Sequence, residues 1–270
     1  MSGKSWYETG FEGMVHERDR IADKYAVDRF YMKEKTSASL VYIDDDPFCF
    51  YEHSYRKGGD RGTLTCIAKI HPENPVCCVR LGAESSHYVG MLTVLDCTEY
   101  PSKKEPGKIY QYNLKLFPAK MTVLQILQRK RTEFVSIVNK KCGVYRDTDK
   151  SPNTGNEFTF KEDVKDLDAL FRHAKYKNKL LSEWFDKAEA DPEEMRKMAR
   201  TFKLARDPVT QRLVRRVPPF NYVELLAPKD PEDVARVLAG EVSSSFDDKK
   251  PDAAGPGGGG GGNQASGAPF

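Results

Sequence analysis

The sequence predicts a mainly β fold with α-helices, in which a strand-rich first part precedes a helical part and a tail. Before residue 160, several short runs alternate apolar and polar residues, which is the pattern of strands. After Phe160, apolar residues recur every three or four positions, as on one face of a helix. The last stretch, 251–270, contains the glycine run 257–262 and too few apolar residues for a core, so we expect a flexible tail.

The first strands follow the apolar and aromatic runs. Residues 29–32 and 37–43 predict a hairpin around the intervening Lys-Glu-Lys-Thr. His87–Cys97 is almost continuously apolar and predicts a long buried strand. In Lys108–Leu116, apolar or aromatic residues alternate with polar ones from Tyr110 onward, which predicts another strand.

One helix interrupts the strands, and a closing pair of strands follows it. Met121–Lys130 has apolar residues at helical spacing. Residues 143–146 and 157–160 predict two strands across the turn Ser-Pro-Asn-Thr-Gly. A helix inserted late among several strands is compatible with a small closed barrel of the OB type, which we place over residues 29–160.

The remaining regions are assigned from helix signals and composition. Asp191-Pro192 and Asp230-Pro231 each place an N-cap residue before a first-turn proline, so each predicts a helix start, and Gly240 predicts the end of the second helix. We therefore expect an N-terminal segment with a short helix over 1–28, a helical extension over 161–242 and a disordered tail over 243–270.

Composition excludes several classes of protein. The 270 residues carry a net charge of +3 and contain no apolar run long enough to span a membrane. The first residues lack the apolar region of a secretory signal, so we expect an intracellular chain with reduced cysteines and no membrane partner. Signatures such as G-x-S-x-G and H-E-x-x-H are absent, and we expect no enzymatic activity.

Charge and aromatic residues together indicate a nucleic-acid partner. Between residues 101 and 150, twelve Lys/Arg face four acids, whereas residues 228–252 have seven acids and four bases. Aromatic faces stack unpaired bases while Lys and Arg contact phosphates, so this mixture favours single-stranded nucleic acid. The predicted phosphate contacts are Lys115, Lys120, Arg129, Lys130, Arg131, Lys140, Lys141 and Arg146, and the predicted base contacts are Tyr112, Phe117 and Tyr145.

Histidine and cysteine spacing allows a zinc site without requiring one. His53 lies thirteen residues before Cys66, and a hairpin between them would bring their side chains together. Cys77 and Cys78 follow, which makes four N/S donors, the number that a structural zinc ion needs. No Cys-x-x-Cys is present, and buried cysteines that act as small apolar residues are the alternative.

An extended order of short motifs resembles the phage single-stranded DNA-binding proteins, the family that includes the helix-destabilising protein of T-even phages. The resemblance covers residues 29–240 and no single motif in it is highly specific. The matching stretches are 29–33, 37–42, 45–53, 65–66, 74–77, 89–96, 115–120, 142–146, 149–158, 219–222 and 225–228.

This resemblance implies an OB-type core that coats single-stranded DNA in replication, recombination and repair without sequence preference, as an oligomer or cooperative filament on DNA. It also implies a C-terminal segment that recruits replication and recombination proteins, and a phage protein in the cytoplasm of the infected host cell. It further implies a zinc site in which His53, Cys66 and Cys77 match ligands. The remaining ligand position is Asn74 here, with Cys78 and His71 as the alternatives.

Three other functions fit parts of the sequence. An RNA-binding or zinc-ribbon regulator would use the same cysteines and bases. A nuclease would bind a divalent metal through Asp44, Asp45 and Asp46. A pure adaptor would bind no nucleic acid and would act only through its tail.

Overall fold

The computed structural model of the chain describes residues 27–57, 60–66, 68, 83–102, 105–228 and 231–239. The predicted N-terminal helix within 1–28 and the predicted tail over 243–270 therefore lie outside the described residues, except for positions 27 and 28. The strands are β1 Thr36–Tyr42, β2 Phe48–Lys57, β3 Asp60–Thr65, β4 Ser86–Asp96, β5 Tyr100–Pro101, β6 Ile109–Tyr110, β7 Asn113–Ala119, β8 Lys140–Arg146, β9 Glu157–Asp163, β10 Lys175–Tyr176 and β11 Lys179–Leu180. The helices are α1 Met121–Phe134, α2 Leu167–His173, α3 Leu181–Ala190, α4 Pro192–Thr201, α5 Tyr222–Leu225 and α6 Pro231–Ala239.

Most strands belong to one large, mostly antiparallel sheet in the order β11-β10-β7-β4-β1-β8-β9. Strand β4 is paired on both edges. One edge pairs with β7, and the other pairs first with β2 and then with β1. The hairpin of β2 and β3 extends the sheet beside the first half of β4.

Strand β4 separates two hydrophobic cores, which explains its continuous apolar sequence: all residues from Val89 to Asp96 are buried. On one face, Leu92 and Val94 belong to a core that also contains α1, β8 and β9, here called the α1 core. On the other face, Met91 and Leu95 belong to a core made with the C-terminal helices, here called the C-terminal core.

The sheet curls around the α1 core without closing. The rings of Phe117 on β7 and Phe158 on β9 face each other across this core at 6.2 Å. However, no ladder joins β7 to β9 among the described strands, so the closed barrel is not found. The edge of β7 away from β4 pairs with β10 at Asn113 and with the segment before β1 at Leu116. There, Phe30 N donates to Leu116 O at 2.7 Å and Leu116 N donates to Asp28 O at 2.9 Å.

Several local predictions are confirmed. The strands predicted over 37–43 and 87–97 are β1 and β4, and α1 begins at Met121 as predicted. The predicted pairing of 143–146 with 157–160 is the β8–β9 ladder. Asp191 caps α4 by accepting a hydrogen bond from Glu193 N at 2.8 Å, and α6 begins at Pro231.

Other predictions are wrong, and each error concerns a turn or a partner. Residues 29–32 do not form a hairpin with β1, which pairs with β4 and β8. The strand predicted over 108–116 is broken at Tyr112, whose φ is 61°. The apolar stripe after Phe160 is divided by a hairpin whose turn residues, Lys177 and Asn178, have φ of 49° and 63°, as a two-residue β-turn requires.

The C-terminal part of the chain returns over the sheet. Residues 220–226, here called the C-terminal strap, contact β4 and β3: Phe220 N donates to Thr93 Oγ1 at 2.9 Å, and Thr65 Oγ1 donates to Leu226 O at 2.8 Å. Helix α6 then packs Val234, Val237 and Leu238 against the β2–β3 hairpin, where they form a third core with Tyr55, Leu64 and Ala83. None of the described helices is long and apolar enough to cross a membrane.

Two glycines with positive φ allow the cost of backbone strain to be distinguished from the cost of steric crowding. Gly155 has φ of 95°, and a Cβ there would lie 2.3 Å from Val144 Cγ1; Gly107 has φ of 84° with no atom within 4 Å of such a Cβ. We expect Gly107→Ala to cost about 1 kcal/mol of unfolding free energy through strain alone. Gly155→Ala should cost about 2 kcal/mol more, because the methyl group overpacks the α1 core. Urea unfolding of both variants measures the difference, and equal losses would contradict the crowding at Gly155.

Candidate nucleic-acid interface

Two predicted DNA contacts are buried parts of the fold. Phe117 has no exposed surface and stacks on Phe30 with ring centroids 5.6 Å apart, so the prediction that it stacks a base is wrong. Arg146 is 5% exposed, and its guanidinium donates to Met32 O at 2.6 Å and Asp149 O at 2.9 Å. The prediction that Arg146 contacts a phosphate is therefore also wrong, since its side chain joins two backbone segments.

Lys115 and Tyr112 are engaged with other side chains. Lys115 Nζ lies 2.8 Å from Asp96 Oδ2, with the two side chains 14% and 1% exposed, and it also lies over the Tyr100 ring. The same Asp96 oxygen accepts a hydrogen bond from Tyr100 at 3.0 Å. Half-buried Tyr112 stacks against His173 at 5.7 Å. The Lys115 charge is therefore paired, and one face of the Tyr112 ring is occupied.

Three more predicted cations form ion pairs near the surface. Lys130 pairs with Glu133 at 2.8 Å, and Lys140 pairs with Asp163 at 2.7 Å. Arg131 lies 3.5 Å from Asp45 and 3.8 Å from Asp46. Nearby acids thus offset their charges, which weakens the case for each as a phosphate ligand.

The remaining predicted residues are available but lie on different elements. Lys120, Arg129 and Lys141 are exposed and form no ion pair with the described part of the chain. Lys120 precedes α1, Arg129 lies on α1 and Lys141 lies on β8. Half-buried Tyr145 shares the outward face of β8 with Lys141. The predicted residues are therefore not brought together into one surface.

A pair of tyrosines that the sequence did not single out lies at the rim of the sheet. Tyr51 of β2 is directly opposite Tyr88 of β4, and their rings meet edge to face at 5.3 Å. Tyr51 is 38% exposed and Tyr88 is half-buried. Alternation in Cys49-x-Tyr51-x-His53-x-Tyr55 indicates one shared face of β2, and this is the signal in the sequence that could have identified Tyr51.

Helix α1 begins beside this pair. Ala119 is opposite Gly90, two residues from Tyr88, and exposed Lys120 follows Ala119 at the helix N-terminus. Helix α1 crosses the Tyr88 face of β4, because a Cβ at Gly90 would lie 2.7 Å from Leu124 Cδ2. The first turn of α1 contains no acid, so the positive end of the helix dipole is not offset there. Tyr51, Tyr88 and Lys120 are here called the tyrosine platform.

The surroundings of Tyr88 further oppose its ionisation, which an ordinary tyrosine does not undergo at neutral pH. A hydrogen bond with the exposed Cys49 thiol, together with burial, raises the pKa of the Tyr88 hydroxyl above its ordinary value. Both effects oppose ionisation, so the ring is neutral at physiological pH and does not repel phosphates.

An ion cluster supports the platform from the opposite face of β2. Buried Glu52 accepts hydrogen bonds from Arg29 at 3.2 and 2.8 Å, and His87 Nε2 lies 3.1 Å from Glu52 Oε1. Burial opposes ionisation of Glu52, but the Arg29 charge and the hydrogen bonds outweigh it and lower the pKa of Glu52 to about 2. Glu52 is therefore ionised and joins the segment before β1 to β2 and β4.

His53 has the environment of a metal ligand. Its Nδ1 lies 2.7 Å from the Glu84 carbonyl oxygen, which can only accept, so this nitrogen carries the proton. Its Nε2 is buried and has no hydrogen-bond partner among the described residues. Buried Cys66 lies diagonally across the hairpin on the same face, because His53 is opposite Leu64 and Cys66 N donates to Tyr51 O.

Only part of the predicted zinc site can be located. Cys77 and Cys78 fall outside the described residues. Within those residues, no group of three or more His, Cys, Asp or Glu side chains is placed to hold a metal. His53 and Cys66 are therefore the two predicted zinc ligands that lie within the described residues.

The acids considered for a nuclease have structural roles. Half-buried Asp44 accepts hydrogen bonds from Tyr222 and Thr93. Asp45 accepts one from Ser136 at 2.8 Å, and both Asp45 and Asp46 lie near Arg131. No observation here favours metal-dependent cleavage.

Neither the known protein-family models nor the curated proteins give a match to this chain. The geometry of the described residues is therefore the main basis for a functional proposal.

Removing the Glu52 charge should destabilise the protein at neutral pH. Glu52→Gln leaves the Arg29 charge without its carboxylate, and breaking a buried pair in this way costs about 3 kcal/mol. A carboxyl group whose pKa falls on folding stabilises the protein at every pH above its pKa in the unfolded chain, which is 4.5 for Glu52. This contribution is lost as the pH falls through about 2.

Urea unfolding between pH 2 and pH 7 tests this expectation. The difference between the wild type and Glu52→Gln should shrink as the pH falls. The control is Glu84→Gln, because Glu84 is 56% exposed and lies 3.8 Å from Arg56, and it should change stability by less than about 0.5 kcal/mol. A pH-independent difference for Glu52→Gln would contradict the charge assignment.

Proposed function

We propose that the protein binds single-stranded DNA at the tyrosine platform and coats unpaired strands without sequence preference. The observation that carries this proposal is the edge-to-face pair formed by Tyr51, which is 38% exposed, and half-buried Tyr88. Lys120, which forms no ion pair with the described residues, lies one strand away, after Ala119 opposite Gly90. Stacking of a base on an aromatic side chain is worth about 1–3 kcal/mol and tolerates any base. A nearby cation and helix N-terminus attract the phosphates that connect such bases.

The strand connections support a partly open OB-type core as the scaffold. Strand β1 pairs with β4 and β8, β4 pairs with β7, and β8 pairs with β9, with α1 inserted between β7 and β8. An OB fold is a five-stranded, partly open Greek-key barrel. Residues 28–30 and strand β10 occupy the edge of β7 that would pair with β9 in a closed barrel, which explains how a core of this type remains open here.

The C-terminal helices favour the platform over the middle of the sheet. OB folds commonly bind oligonucleotides on the outer face of their second and third strands, which correspond here to β4 and β7. That face is covered, because Met91, Leu95, Leu114 and Leu116 pack into the C-terminal core. Tyr88 lies near the start of β4, outside the buried stretch. Single-stranded DNA would have access to the platform there.

A second contact surface on β8 would lengthen the stretch of DNA that the protein covers. Lys141, Gly143 and Tyr145 alternate on its outward face. A Cβ at Gly143 would meet only Thr159 O, at 3.9 Å, so the backbone there is open to an approaching strand. Tyr145 would stack a base and Lys141 would contact a phosphate.

The wider role rests on the sequence resemblance. It comprises replication, recombination and repair in the cytoplasm of an infected host cell, binding without catalysis, assembly as an oligomer or filament on DNA, and recruitment of replication proteins by the C-terminal segment. The alternative is an RNA-binding or zinc-ribbon regulator, which would use the same residues and prefer RNA over DNA of equal length.

Zinc is part of the proposal as a structural ion. His53 Nε2 and Cys66 would hold it together with donors from the Cys77-Cys78 segment. When bound, zinc supplies a rigid cross-link and no catalytic chemistry. The protonated Nδ1, fixed by Glu84 O, leaves the Nε2 lone pair for the ion.

Platform variants test the DNA-binding proposal. Tyr51→Ala and Tyr88→Ala should each weaken binding of labelled oligo-dT about fivefold to a hundredfold, the equivalent of one lost stack. Tyr51→Phe should bind as the wild type does, because the stacking face is kept. Lys120→Glu should weaken all sequences alike and make the salt dependence less steep.

Fluorescence anisotropy over a salt series, with matched duplex and RNA, measures these effects. Lys187→Glu is the charge-matched control, because exposed Lys187 lies on α3, and it should bind nearly as the wild type does. Normal binding by both tyrosine-to-alanine variants would exclude the platform. A preference for RNA would favour the regulator.

Metal analysis of protein purified without chelator tests the zinc site. We expect about one zinc per chain, and loss of zinc in His53→Ala and Cys66→Ala, because each removes one of four ligands. Cys49→Ser should keep the metal, since Cys49 is exposed and donates to Pro47 O. Zinc well below one per chain in the wild type would refute this part of the proposal.

A further inference from the structure

The C-terminal strap is held to the sheet by a small network around Asp44, which lies between β1 and β2. Asp44 Oδ2 accepts a hydrogen bond from Tyr222 Oη at 2.5 Å, and Asp44 Oδ1 accepts one from Thr93 N at 3.1 Å. Thr93 Oγ1 lies 2.7 Å from Tyr222 Oη and accepts a hydrogen bond from Phe220 N. The network therefore links two residues of the strap to β4 and to the turn that leads into β2.

No cation balances Asp44 among the ion pairs of the described residues. Arg131, the cation on this side of the sheet, contacts Asp45 and Asp46 instead. The ring of Tyr222 stacks on Phe48 at 5.6 Å beside this network. Within the described residues, a negative charge on Asp44 is therefore stabilised by hydrogen bonds and by no cation.

We propose that Asp44 makes docking of the C-terminal strap proton-linked, so that the strap is held more tightly in mildly acidic than in neutral solution. Releasing the strap would expose Asp44 to water, whereas docking it removes the carboxyl group from water. Docking then favours the uncharged acid and takes up a proton. The same equilibrium would govern α6, which follows the strap and packs on the β2–β3 hairpin.

The pKa shifts of Asp44 and of Tyr222, which faces it, agree with this geometry. Burial raises the pKa of Asp44 from 3.8 to about 6, against the lowering effect of the Tyr222 and Thr93 hydrogen bonds, and the Asp45 charge raises it further. Burial and the proximity of Asp44 raise the pKa of Tyr222 above its ordinary value, so Tyr222 stays uncharged. Docking is therefore strongest below about pH 3.8 and weakens as the pH rises through about 6.

Hydrogen exchange of the full-length protein without nucleic acid measures the docking equilibrium directly. Backbone exchange of peptides covering the strap, corrected for the intrinsic pH dependence of exchange, reports how often the strap opens. Protection in the wild type should fall about tenfold from pH 5 to pH 7.5, as two states with the two pKa values require. In Asp44→Asn the protection should not depend on pH, whereas Asp45→Asn, the matched neighbour, should keep a pH dependence with a slightly lower midpoint, because the Asp45 charge no longer raises the pKa of Asp44.

A second variant keeps the test decisive if Asp44→Asn does not fold. Tyr222→Phe removes a donor that favours the charged form of Asp44, so the midpoint of the pH dependence should move to higher pH. Constant protection of the wild-type strap, a pH dependence that persists in Asp44→Asn, or an unchanged midpoint in Tyr222→Phe would each overturn the proposal. The experiment uses no DNA, so its result is independent of the proposed binding function.

Discussion

The two-sided burial of β4 is the constraint on which the rest of the structure depends. A strand with apolar side chains on both faces needs a cover on each, and here the two covers are α1 with β8 and β9, and the C-terminal helices. Each unpaired backbone group of a buried strand would also be costly, so both edges of β4 carry a ladder. Only the start of β4, with His87 and Tyr88, extends beyond the buried stretch, and the proposed platform lies there.

The same constraint explains why the charges around the sheet serve the fold. Asp96 is at the buried end of β4, and an isolated carboxylate there would be strongly destabilising, so Lys115 and Tyr100 bind it. Arg146 plays a comparable role where β8 ends, because its guanidinium satisfies carbonyl groups of two neighbouring segments. A basic region in the sequence is thus divided between structural cations and a smaller set that faces solvent.

Features that depend on residues close together in the sequence were predicted better than features that depend on distant residues. The N-cap of α4, the β8–β9 turn and the apolar run of β4 are local signals, and each predicted its element. Closure of the sheet and the partner of residues 29–32 depend on pairing between distant segments, and the predictions of both were wrong. Phe117 was predicted to stack a base, but only the assembled sheet shows that its ring belongs to the α1 core. Tyr51 and Tyr88 are distant in sequence, so their contact required the β2–β4 register.

Glu52 and Asp44 show how one sheet shifts the pKa values of two carboxyl groups in opposite directions. Both are removed from water to some degree, and burial alone opposes ionisation of each. Glu52 has the Arg29 guanidinium beside it and its pKa is lowered, whereas Asp44 has hydroxyl and amide donors but no cation among the described residues, and its pKa is raised to about 6. On the proposal made above, acidification weakens the attachment of the segment before β1 and strengthens that of the C-terminal strap. Since both attachments reach β2, the strand that carries Tyr51 and His53 is held by two contacts that respond oppositely to protons.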